Sequence, residues 1–293
     1  MDEFKEKIGN YWNGNPCGRK FVASEIGSRD YFSELTKTRY DLEPHIYEFL
    51  SGIDFKGKKV LEVGFGQGTD AAFMAEHGAD YYGVDLSNEH LSISKKRFQL
   101  FGLKGNFRIA DAENLPFDDN SFDMVYSNGV IHHTPDTQKT VDEIYRVLRP
   151  GGKAVVMVYH KNSYNYYINI MFLRRIGILM LSLPYATKIL SRVLGEAEEV
   201  LIGHRNNLRK NGLKYLSAEN FLSQNTDGPG NPLSKAYTKT QLKHMFAKFS
   251  KKKTEVRYLN KRWIPLIGRF LPKRVENALA KLWGWHLFIF AEK

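Results

Sequence analysis

Between Lys59 and Val158 the chain alternates short apolar runs with helical stretches, and this pattern limits the fold more than any other feature. "KKVLEVGF" reads as a buried strand, and "TDAAFMAEHG" as a helix ended by Gly78. "YYGVDLS" is the next strand, followed by the helix "NEHLSISKKRFQLFG" closed at Gly102. "GNFRIADA" and "SFDMVYSNG" are two more strands. "TQKTVDEIYRVLRPGG" is a helix stopped by Pro150, Gly151 and Gly152, and "KAVVMVYH" is a fifth strand. Repeated units of this length require a parallel sheet with helices on both faces.

The first strand breaks into "GFGQG", a turn of the kind that holds nucleotides in α/β proteins. Dinucleotide-binding turns are spaced G-x-G-x-x-G, the third glycine bringing the helix close and aiming its N-terminus at a pyrophosphate. Here Gly64, Gly66 and Gly68 are each separated by one residue, and Thr69 stands where the third dinucleotide glycine would be. Glu62, two residues before the first glycine, is awkward beside a pyrophosphate but useful beside an ammonium. Asp85 ends the second strand, where an acid can accept both ribose hydroxyls. Asp111 and Ala112 end the third, where an acid can accept from an adenine amino group. These residues fit S-adenosylmethionine (SAM), which has an adenosine and an amino-acid end but no phosphate.

"EVGFGQG", "GVDLS", "ADAENLPFDDNSFDMVYSNGVIHHTPD" and "LRPGGK" occur in an order and at a spacing that resemble the class I SAM-dependent methyltransferases of the type 11, small-molecule group. The resemblance covers about residues 55–160 and the terminal helix and strands. It implies a Rossmann-like seven-stranded α/β sheet of order 3-2-1-4-5-7-6 with the last strand, "WHLFIFAEK", antiparallel. It also implies cofactor contacts at Glu62, Gly64, Gly66, Gly68, Asp85, Leu86, Asp111, Ala112 and Asn128. The chain then divides into a helical arm or lid (1–55), a SAM-binding core (56–161), a helical acceptor-binding insertion after strand five (162–237) and the end of the core (238–293).

Methyl transfer from a sulfonium is an in-line displacement, so positioning and a dry site do most of the work. An oxygen or acidic-carbon acceptor adds a general base, worth roughly 10²–10⁴-fold. Candidates belong at the carboxyl ends of strands four and five. "SNGVIHHTPD" supplies His132 and His133, of which adjacent geometry lets one face the acceptor, His132 being the favoured one. The alternative is that one caps backbone while the other packs on the cofactor. Strand five ends at Tyr159 and His160, beside the same expected pocket. Tyr164, Tyr166 and Tyr167 either line its wall or pack as an ordinary amphipathic face. Tyr11 and Trp12 either cover the cofactor or are simply buried aromatics. Asn231 and Tyr237, with Asp227, sit in a turn-rich segment suited to closing over substrate, although such a turn needs no function.

Several chemistries are disfavoured. No N-P-P-Y motif follows strand four, against amino-nitrogen methylation of adenine or glutamine. The one cysteine, Cys17, argues against cysteine-nucleophile cytosine methylation, multi-thiol arsenic methylation and a disulfide framework, and suits a reducing compartment. No set of metal ligands stands out. The charged N-terminus lacks a signal-peptide core, and the longest apolar uncharged run, 176–187, is too short to span a bilayer, which together read as cytoplasmic.

Charge is uneven. Residues 1–150 carry 18 basic and 24 acidic side chains, and residues 151–293 carry 25 and 8. Such asymmetry points to nucleic acid, an anionic membrane surface or an acidic substrate, or to a solvated face. "FLRRIGILMLSLPYATKILSRVLG" reads as lid core or as an amphipathic pair resting on a membrane. The leading expectation is methyl transfer to oxygen or carbon of a small, partly apolar acceptor. The others are a carboxymethyl-uridine type tRNA methyltransferase, with the basic half tracking phosphates, and a non-catalytic SAM-binding protein. Oligomeric state is not legible.

Overall fold

The computed structural model describes residues 3–261, 264 and 268–293. Three helices come first: α1 (Glu3–Gly14), α2 (Arg29–Leu42) and α3 (Pro44–Ser51). Ser28 caps α2 by accepting from the Tyr31 amide, and Pro44 opens α3 where its missing N–H costs nothing. The alternating core follows as β1 (Lys59–Val63), α4 (Thr69–Glu76), β2 (Asp80–Asp85), α5 (Asn88–Phe101), β3 (Asn106–Ile109), β4 (Phe122–Asn128), α6 (Thr137–Val147) and β5 (Leu148–His160). Ser87 and Asp136 cap α5 and α6, and Gly102 closes α5 in the left-handed conformation.

One boundary differs from the sequence reading. The helix α6 ends at Val147 rather than at Pro150, because Leu148 is already extended and pairs with Phe122. Its side chain is fully buried, and Pro150 disfavours helical backbone at Arg149. A register shift between Phe122 and Met124 absorbs the following Gly151-Gly152 turn into one long strand.

The sheet order is β3-β2-β1-β4-β5-β8-β7, where β7 is Lys251–Arg257 and β8 is His286–Glu292. The strand β8 runs antiparallel to β5 and β7, and β1 to β5 pair in parallel. This is the expected Rossmann-like order. An eighth, two-residue strand, β6 (Ala236–Tyr237), was not foreseen and pairs with Tyr159 and His160. It forms because β4 stops at Asn128, leaving the end of β5 with unpaired backbone on that side.

Alternation along the strands builds two cores. Leu61, Val63, Val125, Val156 and Ile289 pack under α6 and α11 (Lys239–Met245) with Ile144 and Leu242, while Val60, Tyr126, Met157 and Phe288 pack on the other face with Leu50 and Met74. A third cluster lies in the segment 162–237. It holds a π-helix (Asn165–Arg174), α7 (Arg175–Met180), α8 (Ala186–Leu194), α9 (Glu198–Asn211) and α10 (Ala218–Thr226). Ile170, Ile178, Leu201, Phe221 and Trp285 form its centre. The helices α9 and α10 fall where sequence alternation stopped and no element had been read. A last helix, α12 (Lys273–Trp283), precedes β8. No helix of the described residues is long and apolar enough to cross a membrane.

Candidate active site

The turn after β1 is glycine for steric reasons that differ at each position. Gly64, Gly66 and Gly68 have φ of +82°, +52° and +72°. A Cβ on Gly64 would lie 2.2 Å from a Val130 methyl, and one on Gly68 2.9 Å from Ser94 Oγ. At Gly66 it would project into open space, so that glycine leaves room for a ligand. The Gly66 amide donates to Asp85 Oδ2 at 3.0 Å and the Ser87 amide to Oδ1 at 2.9 Å, which fixes the carboxylate across the end of β2.

Beneath the turn is a buried charge cluster. Asp70, in the first turn of α4, accepts from Arg39 Nη2 (3.0 Å), Tyr126 (3.0 Å) and Tyr40 (3.3 Å). Burial would raise its pKa, but the Arg39 charge and these donors outweigh that and hold it low. Glu62 accepts from Tyr81 at 2.6 Å. Burial, with the Asp70 charge beside it, pushes Glu62 well above the usual carboxylate range. Sequence reading found Glu62 but missed Arg39, Tyr40 and Tyr126, which reach Asp70 from distant segments.

A cavity of about 420 Å³ opens over the turn. Gly64, Gly66, Asp85, Leu86, Ala112 and Asn128 line one end, together with Glu62. Asn128 Oδ1 is buried and finds no hydrogen-bond partner among the described residues. These groups suit SAM: acceptors for an ammonium at Glu62 and Asn128, a carboxylate for a ribose diol at Asp85, and apolar walls at Leu86 and Ala112. Gly68 and Asp111 do not line the cavity. The reason at Asp111 is Lys5 of α1, whose ammonium sits 2.6 Å from it and 2.5 Å from Glu113.

The other end is assembled from remote segments: Trp12, His133, Tyr159, Asp227, Tyr258 and His286. His133 lies in a 3₁₀ turn (Ile131–His133) after β4. Its Nδ1 is 2.6 Å from the Leu233 carbonyl, which can only accept, so Nδ1 carries the proton and Nε2 the lone pair. Nε2 is buried, finds no hydrogen-bond partner among the described residues, and stands 3.8 Å from Asp227 Oδ2. Asp227 in turn accepts from Tyr159 (2.8 Å), Asn231 (3.1 Å) and Ser234 (3.2 Å).

Several sequence expectations change here. His132 is not the histidine that faces the cavity. Its ring is fully buried against Tyr159, centroids 3.9 Å apart, and both nitrogens lack hydrogen-bond partners among the described residues. Burial, then His133, holds its pKa well below the usual value, so it is a neutral packing group. Tyr159 reaches the cavity but as a donor. Burial and then the Asp227 charge raise its pKa well above the usual value, so it does not supply a phenolate.

None of the five expected substrate contacts lines the cavity. His160 bonds the Gly284 carbonyl, Tyr237 donates to Thr137, and Tyr164 is the N-cap of the π-helix. Asn231 supports Asp227, as does Tyr11, which donates to the Asp227 carbonyl at 2.6 Å. From the segment 162–237 only Asp227 reaches the cavity among the described residues, and apolar walls come instead from the N-terminal arm at Phe21, Leu35 and Leu42. His286 and His45 are 3.0 Å apart, and burial pushes each down to about 3.

Residues 61–156 match the family described as methyltransferase domain. The matched segment is a methyltransferase domain of the SAM-dependent kind. A Mycobacterium tuberculosis phthiotriol/phenolphthiotriol dimycocerosates methyltransferase is 45% identical over 102 residues, 34% of this chain and 37% of that protein. Methyltransferase GfsG of Streptomyces halstedii is 39% identical over 165 residues, 53% of this chain and 59% of its own length. The matched region thus spans less than two thirds of either relative. The crystal structure of the [4+2]-cyclase SpnF superposes with a TM-score of 0.54 at 15% identity, covering 99% of this chain and 96% of that one. That likeness is one of fold.

Proposed function

We propose that this protein transfers the methyl group of SAM to an oxygen or acidic carbon of a small, partly apolar acceptor. The observation that carries the reading is His133: a lone-pair nitrogen at the cavity, its other nitrogen fixed on the Leu233 carbonyl and a carboxylate 3.8 Å away. Bound SAM supplies the electrophilic methyl group. Asp85 holds the ribose hydroxyls, Glu62 and Asn128 the ammonium, and Leu86 and Ala112 the adenine. An ammonium beside Glu62 favours its ionised form.

His133 Nε2 accepts the acceptor's proton, and Asp227 stabilises the imidazolium that results. Tyr159, Asn231 and Ser234 keep Asp227 aimed. Phe21, Leu35 and Leu42 give the cavity part of its apolar wall. The relative from Mycobacterium tuberculosis is named for a dimycocerosate acceptor, which agrees with a small or lipid-like substrate.

The test is incubation of the protein with methyl-labelled SAM and an extract of the source cells, followed by separation of extractable small molecules, RNA and protein. Label in the small-molecule fraction, lost in His133→Gln, supports the proposal. Label in RNA replaces the acceptor class with tRNA. SAM binding without transfer to any fraction favours a binding protein.

A further inference from the structure

The helices of residues 165–194 are apolar on two faces, which is more than their own core requires. One face points inward: Ile170, Ile178 and Leu181 are buried in the third cluster, and Leu190 packs against it. The outward face is apolar as well. Ile168, Phe172, Ile176 and Leu179 are exposed at steps of three or four residues along the π-helix and α7, so they lie on one side of it, and Leu183 is exposed in the connection that follows. Ile189 and Val193 repeat this on α8, with Tyr185 exposed at its N-cap. Phe172 is 58% exposed, Leu183 59%, Val193 73% and Tyr185 80%. Of the twenty large apolar side chains exposed among the described residues, ten lie between Tyr167 and Val193. Scattered exposed apolar residues need no explanation, but a concentration of this kind marks a contact surface.

The charge says what the contact is. Residues 162–195 contain Arg174, Arg175, Lys188 and Arg192 and no acidic residue. Arg174 turns toward Glu196, and Arg175 lies over the Phe221 ring. Lys188 and Arg192 are exposed on α8, one position before Ile189 and Val193. The connection between the helices carries Leu183, Pro184 and Tyr185, with Tyr185 at φ +59°, so its most exposed ring sits at a turn. Aliphatic stripes beside cations, with a tyrosine at the turn, fit the boundary of an anionic bilayer. A second copy docked through this face would set one cationic, acid-free face against another, and nucleic acid offers nothing to cover aliphatic stripes.

We propose that the outer face of the 165–194 helical pair is a peripheral docking site for an anionic lipid surface. It lies apart from the cavity-lining residues, so it does not depend on the identity of the methyl acceptor.

The test is flotation of the full chain with phosphatidylcholine vesicles, with and without phosphatidylglycerol. The expected result is co-flotation with the phosphatidylglycerol vesicles, weakened by salt. The triple variant Phe172→Ser, Leu183→Ser, Tyr185→Ser should reduce it by about tenfold or more. Lys188→Glu with Arg192→Glu should reduce it several-fold. Retained SAM binding in each variant shows that the fold persists. Equal flotation with both lipids overturns the anionic-lipid assignment. Absence of flotation overturns the proposal, and a dimer that dissociates in the triple variant would then identify a second copy as the occupant.

Discussion

The two ends of the cavity are built in different ways. The glycine-turn end comes from one continuous stretch, 62–130, whose residues are fixed by local backbone demands and neighbouring strands. The His133 end draws on residues as far apart as Trp12, Tyr159, Asp227 and His286. Asp227 reaches it through a segment that otherwise packs around its own apolar cluster. A local site is robust to change elsewhere in the chain, whereas an assembled one depends on every element that brings a group to it.

The comparison can be broken first at the turn. Gly64→Ala places a Cβ 2.2 Å from Val130 at a positive φ, so SAM binding should be lost, as isothermal titration would measure. At the other end, His133→Gln should lower kcat by about 10²–10⁴-fold while SAM affinity is retained. His132→Phe, one residue away, should leave both largely intact; a loss equal to that of His133→Gln would refute the assignment.

A third expectation concerns stability. His45 and His286 are pushed down to about 3, so they stay neutral in the folded protein where the unfolded chain, titrating near 6.5, binds protons. Stability is therefore complete above pH 6.5 and falls as the pH drops toward 3, by roughly 2 kcal/mol for each histidine at pH 5. Urea midpoints at pH 7 and pH 5 would measure it, and equal midpoints would contradict the burial argument. Asp227→Asn should cost about tenfold in kcat, with little change in SAM affinity, by removing the charge beside the developing imidazolium. The smallest effect belongs to Lys5→Ala. It frees Asp111 and Glu113 from a partly buried pair and should lower the unfolding free energy by about 1 kcal/mol, measured by chemical denaturation.

Much of the glycine-turn end, apart from Gly68 and Asp111, was legible because its signals are local. Positive-φ turns admit glycine, strand periodicity fixes which side chains share a face, and an acid after a strand of set length lands at the sheet's edge. The sheet order followed from the family resemblance rather than from local spacing, and it lacked the two-residue β6, whose existence depends on where β4 stops. The boundary of α6 was misplaced because proline stops a helix before its own position, and Leu148 had a better place in the core. The choice between His132 and His133 could not be read from adjacency. It depends on the Leu233 carbonyl, one hundred residues on, and on Tyr159 filling the space behind.

Sequence alone thus determined the class of nucleotide turn, the βα alternation and the short list of candidate bases, since each rests on backbone conformations and spacings within a few residues. Tertiary structure decided which histidine meets the cavity, that Asp227 is its partner, that Lys5 covers Asp111, and that the N-terminal arm supplies part of the apolar wall. Those outcomes depend on packing between segments far apart in the chain, and no local spacing encodes which of several suitable side chains will be brought within a few ångströms of another.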